Sequence, residues 1–141
     1  MKRAAVLSIR GRQNYPGQEP DVIELVTDGT MERTEKGWNL AYEESDLTGM
    51  EGVRTAFCLE PEQVTLTRTG KLSSEMVFRE GVPHESLYRM EFGALMVTVC
   101  ATRVTYDITD QGGTVDVSYS IEIEQSVAGV VDYHLDIRPK E

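Results

Sequence analysis

Glu44 and Arg68 are the two charged residues that strand alternation sets on an otherwise apolar side. Trp38, Leu40 and Tyr42 share one strand face, and the next residue on that face is Glu44. Val64 and Leu66 share a face with Arg68 in the same way. Successive strand side chains point to opposite faces, so apolar faces turned inward carry both charges inward with them. A charge in such an interior must pair, reach water or meet a ligand, because leaving it alone is costly. Two arrangements follow. Glu44 and Arg68 pair at one end of an interior space, with Tyr42 and Tyr119 nearby, or both reach water at a rim. In the first, Arg68 can hold a carboxylate or phosphate in a bidentate contact, while Trp38, Phe57 and Phe78 supply an apolar wall. That is the chemistry of binding a small amphipathic anion.

Other chemistry is sparse. His84 and His134 are far apart, His134 falls on the polar face of its strand, and no spacing suggests a zinc site. The acidic residues do not follow a calcium-loop pattern. Gly112-Gly113 lies between two strands rather than opening a helix, which excludes a phosphate-binding loop. Cys58 and Cys100 have no histidine near them in sequence and read as free thiols, and Ser73-Ser74 has no supporting motif. Glu43 and Glu44 lie on opposite strand faces and cannot share a proton. No acid–base or metal constellation is legible, which points away from an enzyme, and no cofactor or metal is expected. The acidic, glycine-punctuated segment Ser45 to Gly52 is a second candidate, since function often sits on loops held by a rigid scaffold. A hairpin loop that needs glycine for its backbone explains the same residues and is the favoured reading.

The elements that position these residues are strands throughout. Val115, Val117, Tyr119, Ile121 and Ile123 alternate with Asp116, Ser118, Ser120, Glu122 and Glu124, giving an apolar face and an acidic one. Val131, Tyr133, Leu135 and Ile137 repeat the pattern after the connection Ser126 to Gly129, which predicts an antiparallel hairpin. Upstream, strands are expected at about Ala5 to Arg12, Asp21 to Arg33, Trp38 to Glu43, and around Val53–Leu59, Val64–Leu66 and Met76–Phe78. A short one follows at about Leu87 to Glu91 and a longer one from Gly93 to Asp107. The turns fall at Asn14-Tyr15-Pro16-Gly17, Lys36-Gly37, Pro61-Glu62-Gln63, Thr69-Gly70-Lys71, Glu80-Gly81-Val82-Pro83 and Gln111-Gly112-Gly113. No window carries a helical apolar period. About ten strands with short connections make a meander, and closure into a barrel removes its two exposed edges. A two-sheet sandwich is less compatible, because the connections are too short for Greek-key crossings.

With 141 residues the chain forms one domain, residues 1–141, able to bury a core. Its net charge of −10 disfavours nucleic acid and anionic membrane surfaces as partners. The opening MKRAAVLSIRGR has too short an apolar run for a signal peptide, and nothing approaches a membrane-spanning helix. A cytoplasmic protein, monomer or homodimer, is expected.

A series of motifs adds to this. Ile23-Glu24-Leu25-Val26-Thr27-Asp28-Gly29 is followed by Tyr42-Glu43-Glu44-Ser45, by Thr48-Gly49-Met50-Glu51-Gly52 with Thr55, and by Arg68-Thr69-Gly70. Then come Met76-Val77-Phe78, Tyr88, Phe92-Gly93, and Gly112-Gly113 before the strand of Tyr119. In that order they resemble the bacterial DUF1934 family of YwiB-like proteins over nearly the whole chain. One departure is local: Met90-Glu91-Phe92-Gly93 stands where a Thr-Pro-aromatic-Gly pattern is expected. The resemblance implies a calycin-type, lipocalin-like barrel of about eight to ten strands in the cytoplasm. It implies no catalytic residue, because the family's function is unknown. Two functions of different class follow: a barrel that binds a small amphipathic or anionic ligand inside, or a non-enzymatic interaction module whose interior is filled. The space inside the barrel separates them.

Overall fold

Most strands in the computed structural model bury alternate residues, while β-strand residues 21–33 and 83–89 alternate mainly between half-buried and exposed, and that alternation builds a barrel. Residues 2–44, 51–90, 93–124 and 126–140 are described. They form β1 (Lys2–Asn14), β2 (Asp21–Arg33), β3 (Trp38–Glu43), β4 (Val53–Glu60) and β5 (Gln63–Gly70). These are followed by β6 (Ser74–Phe78), β7 (Pro83–Met90), β8 (Gly93–Thr109), β9 (Gly112–Ile123) and β10 (Ser126–Pro139). All ladders between neighbouring strands are antiparallel, in the order β6-β5-β4-β3-β2-β1-β10-β9-β8-β7. The expected antiparallel barrel of ten strands is therefore present, and it is nearly closed.

The first and last strands meet in a long, regular ladder, from Ala5 opposite Pro139 to Asn14 opposite Val130. The seam lies instead in mid-chain, between β6 and β7. There Ser73 and Arg89 exchange two backbone hydrogen bonds of 2.9 and 2.8 Å, and Gly81 N–H donates to the Ala101 carbonyl at 2.9 Å. Between these points Val77 N–H donates to His84 Nδ1 at 3.3 Å, so a side chain supplies the acceptor that a neighbouring strand would provide. Pro83, expected in a turn, is the first residue of β7, a position where its missing N–H is tolerated.

A bulge keeps the apolar residues of β8 facing in. Along β8, Val97, Val99 and Ala101 are buried, whereas Val104, Tyr106 and Ile108 pack on the core after the register shifts between Ala101 and Arg103. Without the extra residue, Arg103 and Thr105 would have turned inward. A second shift, between Val127 and Gly129, lies within β10. The connection expected at Ser126 to Gly129 thus belongs to the strand, and the chain turns earlier, at Glu124, whose φ is 53°.

Three rows cross the inner wall of β3 to β6. Trp38, Leu59, Val64 and Phe78 are mutual partners in one, and Leu40, Phe57, Leu66 and Met76 in the next. Both rows are buried and, with Ala5, Leu7, Val115 and Ile137, they fill one end of the barrel. The third row is Tyr42, Thr55, Arg68 and Ser74.

The outer wall carries the charges. Glu43, whose side chain faces opposite to that of Glu44, pairs with Arg54 at 3.2 Å, and Arg79 with Glu62 at 3.2 Å. His134 sits on this polar face as expected, 2.7 Å from Asp116 and 3.2 Å from Asp136. The hydrogen bond to Asp116, with the charges of both carboxylates, outweighs partial burial and raises its pKa above the usual histidine value. A raised native pKa stabilises the fold fully below the unfolded-state value of about 6.5 and loses that contribution as pH rises through the native value. We expect His134→Gln to remove a small component of stability, within about 1 kcal/mol for so exposed a pair, that wild type shows at pH 5.5 and loses by pH 9. Urea midpoints at the two pH values, wild type against variant, test this; equal differences at both would refute it.

Candidate functional site

Above the polar row the barrel is not filled. A cavity of about 360 Å³ opens at the end where β1 joins β2 and β9 joins β10. Ile23 and Ile123, partly exposed, mark its mouth. Its polar side is the row on β3 and β5, with Tyr42, Glu44 and Arg68. Its apolar side comes from β1, β2, β8 and β9, with Ile9, Leu25, Leu95, Val97 and Ile121. Five of the chain's six tyrosines (Tyr15, Tyr42, Tyr88, Tyr119 and Tyr133) also line it.

Both charges picked out by alternation point inward. Arg68 is 7% exposed and Glu44 6%. Their contacts are separate ones. The Arg68 Nη2 donates to the Tyr133 hydroxyl at 3.3 Å, and its buried Nε has no hydrogen-bond partner. Glu44 accepts hydrogen bonds from the Thr55 and Tyr42 hydroxyls. Burial works against the Arg68 charge, the phenols of Tyr133, Tyr88 and Tyr119 act the other way, and the net shift is upward. The side chain is a permanent cation. Burial, reinforced by Glu44, pushes the Tyr42 phenol up, and burial does the same at Tyr119 and Tyr88 against the opposing pull of Arg68. These hydroxyls therefore stay neutral at physiological pH and can donate hydrogen bonds.

Tyr42 and Tyr119 line the cavity, while Trp38, Phe57 and Phe78 do not. The registers set these three in the filled rows. Phe78 packs on Tyr119 with ring centroids 4.5 Å apart, and Phe57 meets Tyr133 edge-on at 6.5 Å. Trp38 lies farther down, under the Arg33 guanidinium, 5.9 Å from its ring. The apolar wall of the cavity is therefore aliphatic and phenolic, with phenyl rings only behind it. Residues 45–50 of the loop candidate lie outside the described residues, as do Glu91 and Phe92 of the local departure.

Sequence reasoning missed Tyr88, Thr55 and Ser74 as parts of this end, and Gly11 as well. A Cβ at Gly11 would lie 3.1 Å from the Tyr133 ring, so the glycine makes room for the phenol that holds Arg68. Ser74 was within reach of alternation, since it shares its strand face with Met76 and Phe78. Gly11 was not, because its partner across the ladder is more than a hundred residues away.

The family model for DUF1934, a domain of unknown function, matches residues 7–137. The chain belongs to the DUF1934 family. No curated protein matches this DUF1934 chain significantly. Among solved structures it is similar to the crystal structure of the ywiB protein from Bacillus subtilis, with a TM-score of 0.88 and 18% identity, over 99% of this chain and 94% of that one. At that identity the likeness establishes the shared fold.

Proposed function

We propose that this DUF1934 barrel binds a small amphipathic anion in its cavity, with Arg68 at the charged head. One observation carries the reading: a permanent cation, almost wholly buried, keeps its Nε without a partner beside an empty space. A buried, unsatisfied donor costs roughly 1–3 kcal/mol, more when charged, so a purely structural interior would have replaced it or paired it. The cavity volume of about 360 Å³ falls within the range of small-molecule sites. Its division into a polar and an apolar side suits a ligand divided in the same way. A barrel serving only as an interaction module gains nothing from this space. The two free thiols, Cys58 and Cys100, are compatible with action in the reducing cytoplasm.

The test is native mass spectrometry of the protein purified from its own cells. Wild type is expected to retain a small adduct that denaturation releases. Leu25→Trp, which fills the apolar side, and Arg68→Ala, which removes the cation, are both expected to lose it. A clean apo mass for wild type would count against the proposal, and so would an adduct that persists in both variants.

A further inference from the structure

We infer that the head group is a carboxylate held between Arg68 Nε and the Ser74 hydroxyl, so that the ligand is an amphipathic monocarboxylic acid. This rests on the cavity reading above and narrows it. Arg68 and Ser74 are direct cross-strand partners on β5 and β6, and both are buried. Among the described residues, the fully buried side-chain nitrogen and oxygen atoms that lack any hydrogen-bond partner are two, Arg68 Nε and Ser74 Oγ. Buried polar groups are nearly always satisfied, so two orphans on facing residues of one wall mark a place where something else supplies the acceptor. Directly opposed residues have Cβ atoms roughly 5 Å apart, close enough for both donors to reach one small group.

Charge and donor count select the group. Among the described residues, Arg68 is the one cation lining the cavity and Glu44 the one anion, and both belong to the polar side. A phosphate monoester carries a charge of about −1.5 to −2 and three strong acceptors, which would overload a single guanidinium edge beside Glu44. Nη2 gives one of its N–H groups to Tyr133, and among the described residues Nε and the Ser74 hydroxyl are the two buried donors of this wall that have no partner. A carboxylate adds one charge and presents two oxygens to two donors. Beyond the head, Leu25, Leu95 and Ile121 give a short hydrocarbon or aryl body its apolar surface.

Displacement of the neutral fluorophore 1-aminoanthracene separates this inference from the reading it rests on. The fluorophore is expected to enter wild type with enhanced emission, and decanoate to displace it about tenfold more tightly than decanol or decyl phosphate, the worth of one charge-assisted hydrogen bond. S74A is expected to weaken decanoate several-fold and leave decanol unchanged. Arg68→Lys, which keeps a cation but lacks Nε, is expected to do the same or more, with thermal melts confirming that both variants fold. If the fluorophore does not enter, the cavity reading falls and the head-group assignment with it. If it enters and acid and alcohol compete equally, or decyl phosphate wins, or S74A binds decanoate like wild type, the head-group assignment alone is overturned.

Discussion

Replacing Arg68 by methionine is expected to stabilise the ligand-free protein while abolishing its preference for an anionic ligand. The guanidinium is withdrawn from water at 7% exposure. In return it makes one 3.3 Å hydrogen bond to the Tyr133 hydroxyl and leaves Nε unsatisfied. Desolvating a cation costs several kcal/mol, and a single hydroxyl acceptor offsets only part of that. Methionine is flexible and apolar, and it can lie against Leu66 and Met76 without an orphaned donor. Replacing buried charges by well-packed apolar residues is commonly neutral to stabilising by about 1–4 kcal/mol, so the melting temperature of Arg68→Met should rise. The same change removes the head-group donor, and acid binding should fall at least tenfold. Thermal melts with and without decanoate read both effects. A variant that melts well below wild type would assign Arg68 a structural role and remove the main support for a ligand.

Phe78→Ala should have the opposite consequence for stability. Phe78 is fully buried on β6, beside the seam, with its ring 4.5 Å from that of Tyr119. Truncating a buried phenylalanine costs about 3–5 kcal/mol through lost transfer energy and the void left behind. For a domain of this size that corresponds to a fall of roughly 10 °C or more in melting temperature. The void would also remove the packing beneath Tyr119, joining the filled end to the cavity. Denaturant unfolding gives the energy, and displacement by longer-chain acids tests whether the cavity deepens. A loss below about 1 kcal/mol would mean that the filled end is less tightly packed than its burial implies.

Much of the barrel was legible because its signal is local. Alternation in Ala5–Gly11, Val53–Leu59 and Val115–Tyr119 needs only neighbouring residues, and it located these strands and their inner faces. The same rule turned Glu44 and Arg68 inward, and both are buried. It failed where the period breaks. The bulge between Ala101 and Arg103 shifts the inward set by one, a change that serves the core and has no marker at Thr102 itself. The strand expected only from about Leu87 begins at Pro83, which reads as the end of a turn, because Pro83 and His84 pair with Cys100 and Val99.

Taken by itself, the sequence determined an all-β chain of about ten antiparallel strands with an acidic outer wall, and it turned two charges toward the inside. Tertiary structure decided how far along the barrel each inward residue sits. Register between strands made Trp38, Phe57 and Phe78 a filled end rather than a ligand wall, and set Tyr42, Thr55, Arg68 and Ser74 in one row above them. It also brought Tyr133 to Arg68 from the far end of the chain, and left the seam between β6 and β7 rather than between the termini. The physical reason is range. Which face a side chain takes follows from its own strand, whereas its depth, its partners and the empty space beside it depend on ladders between residues far apart in sequence.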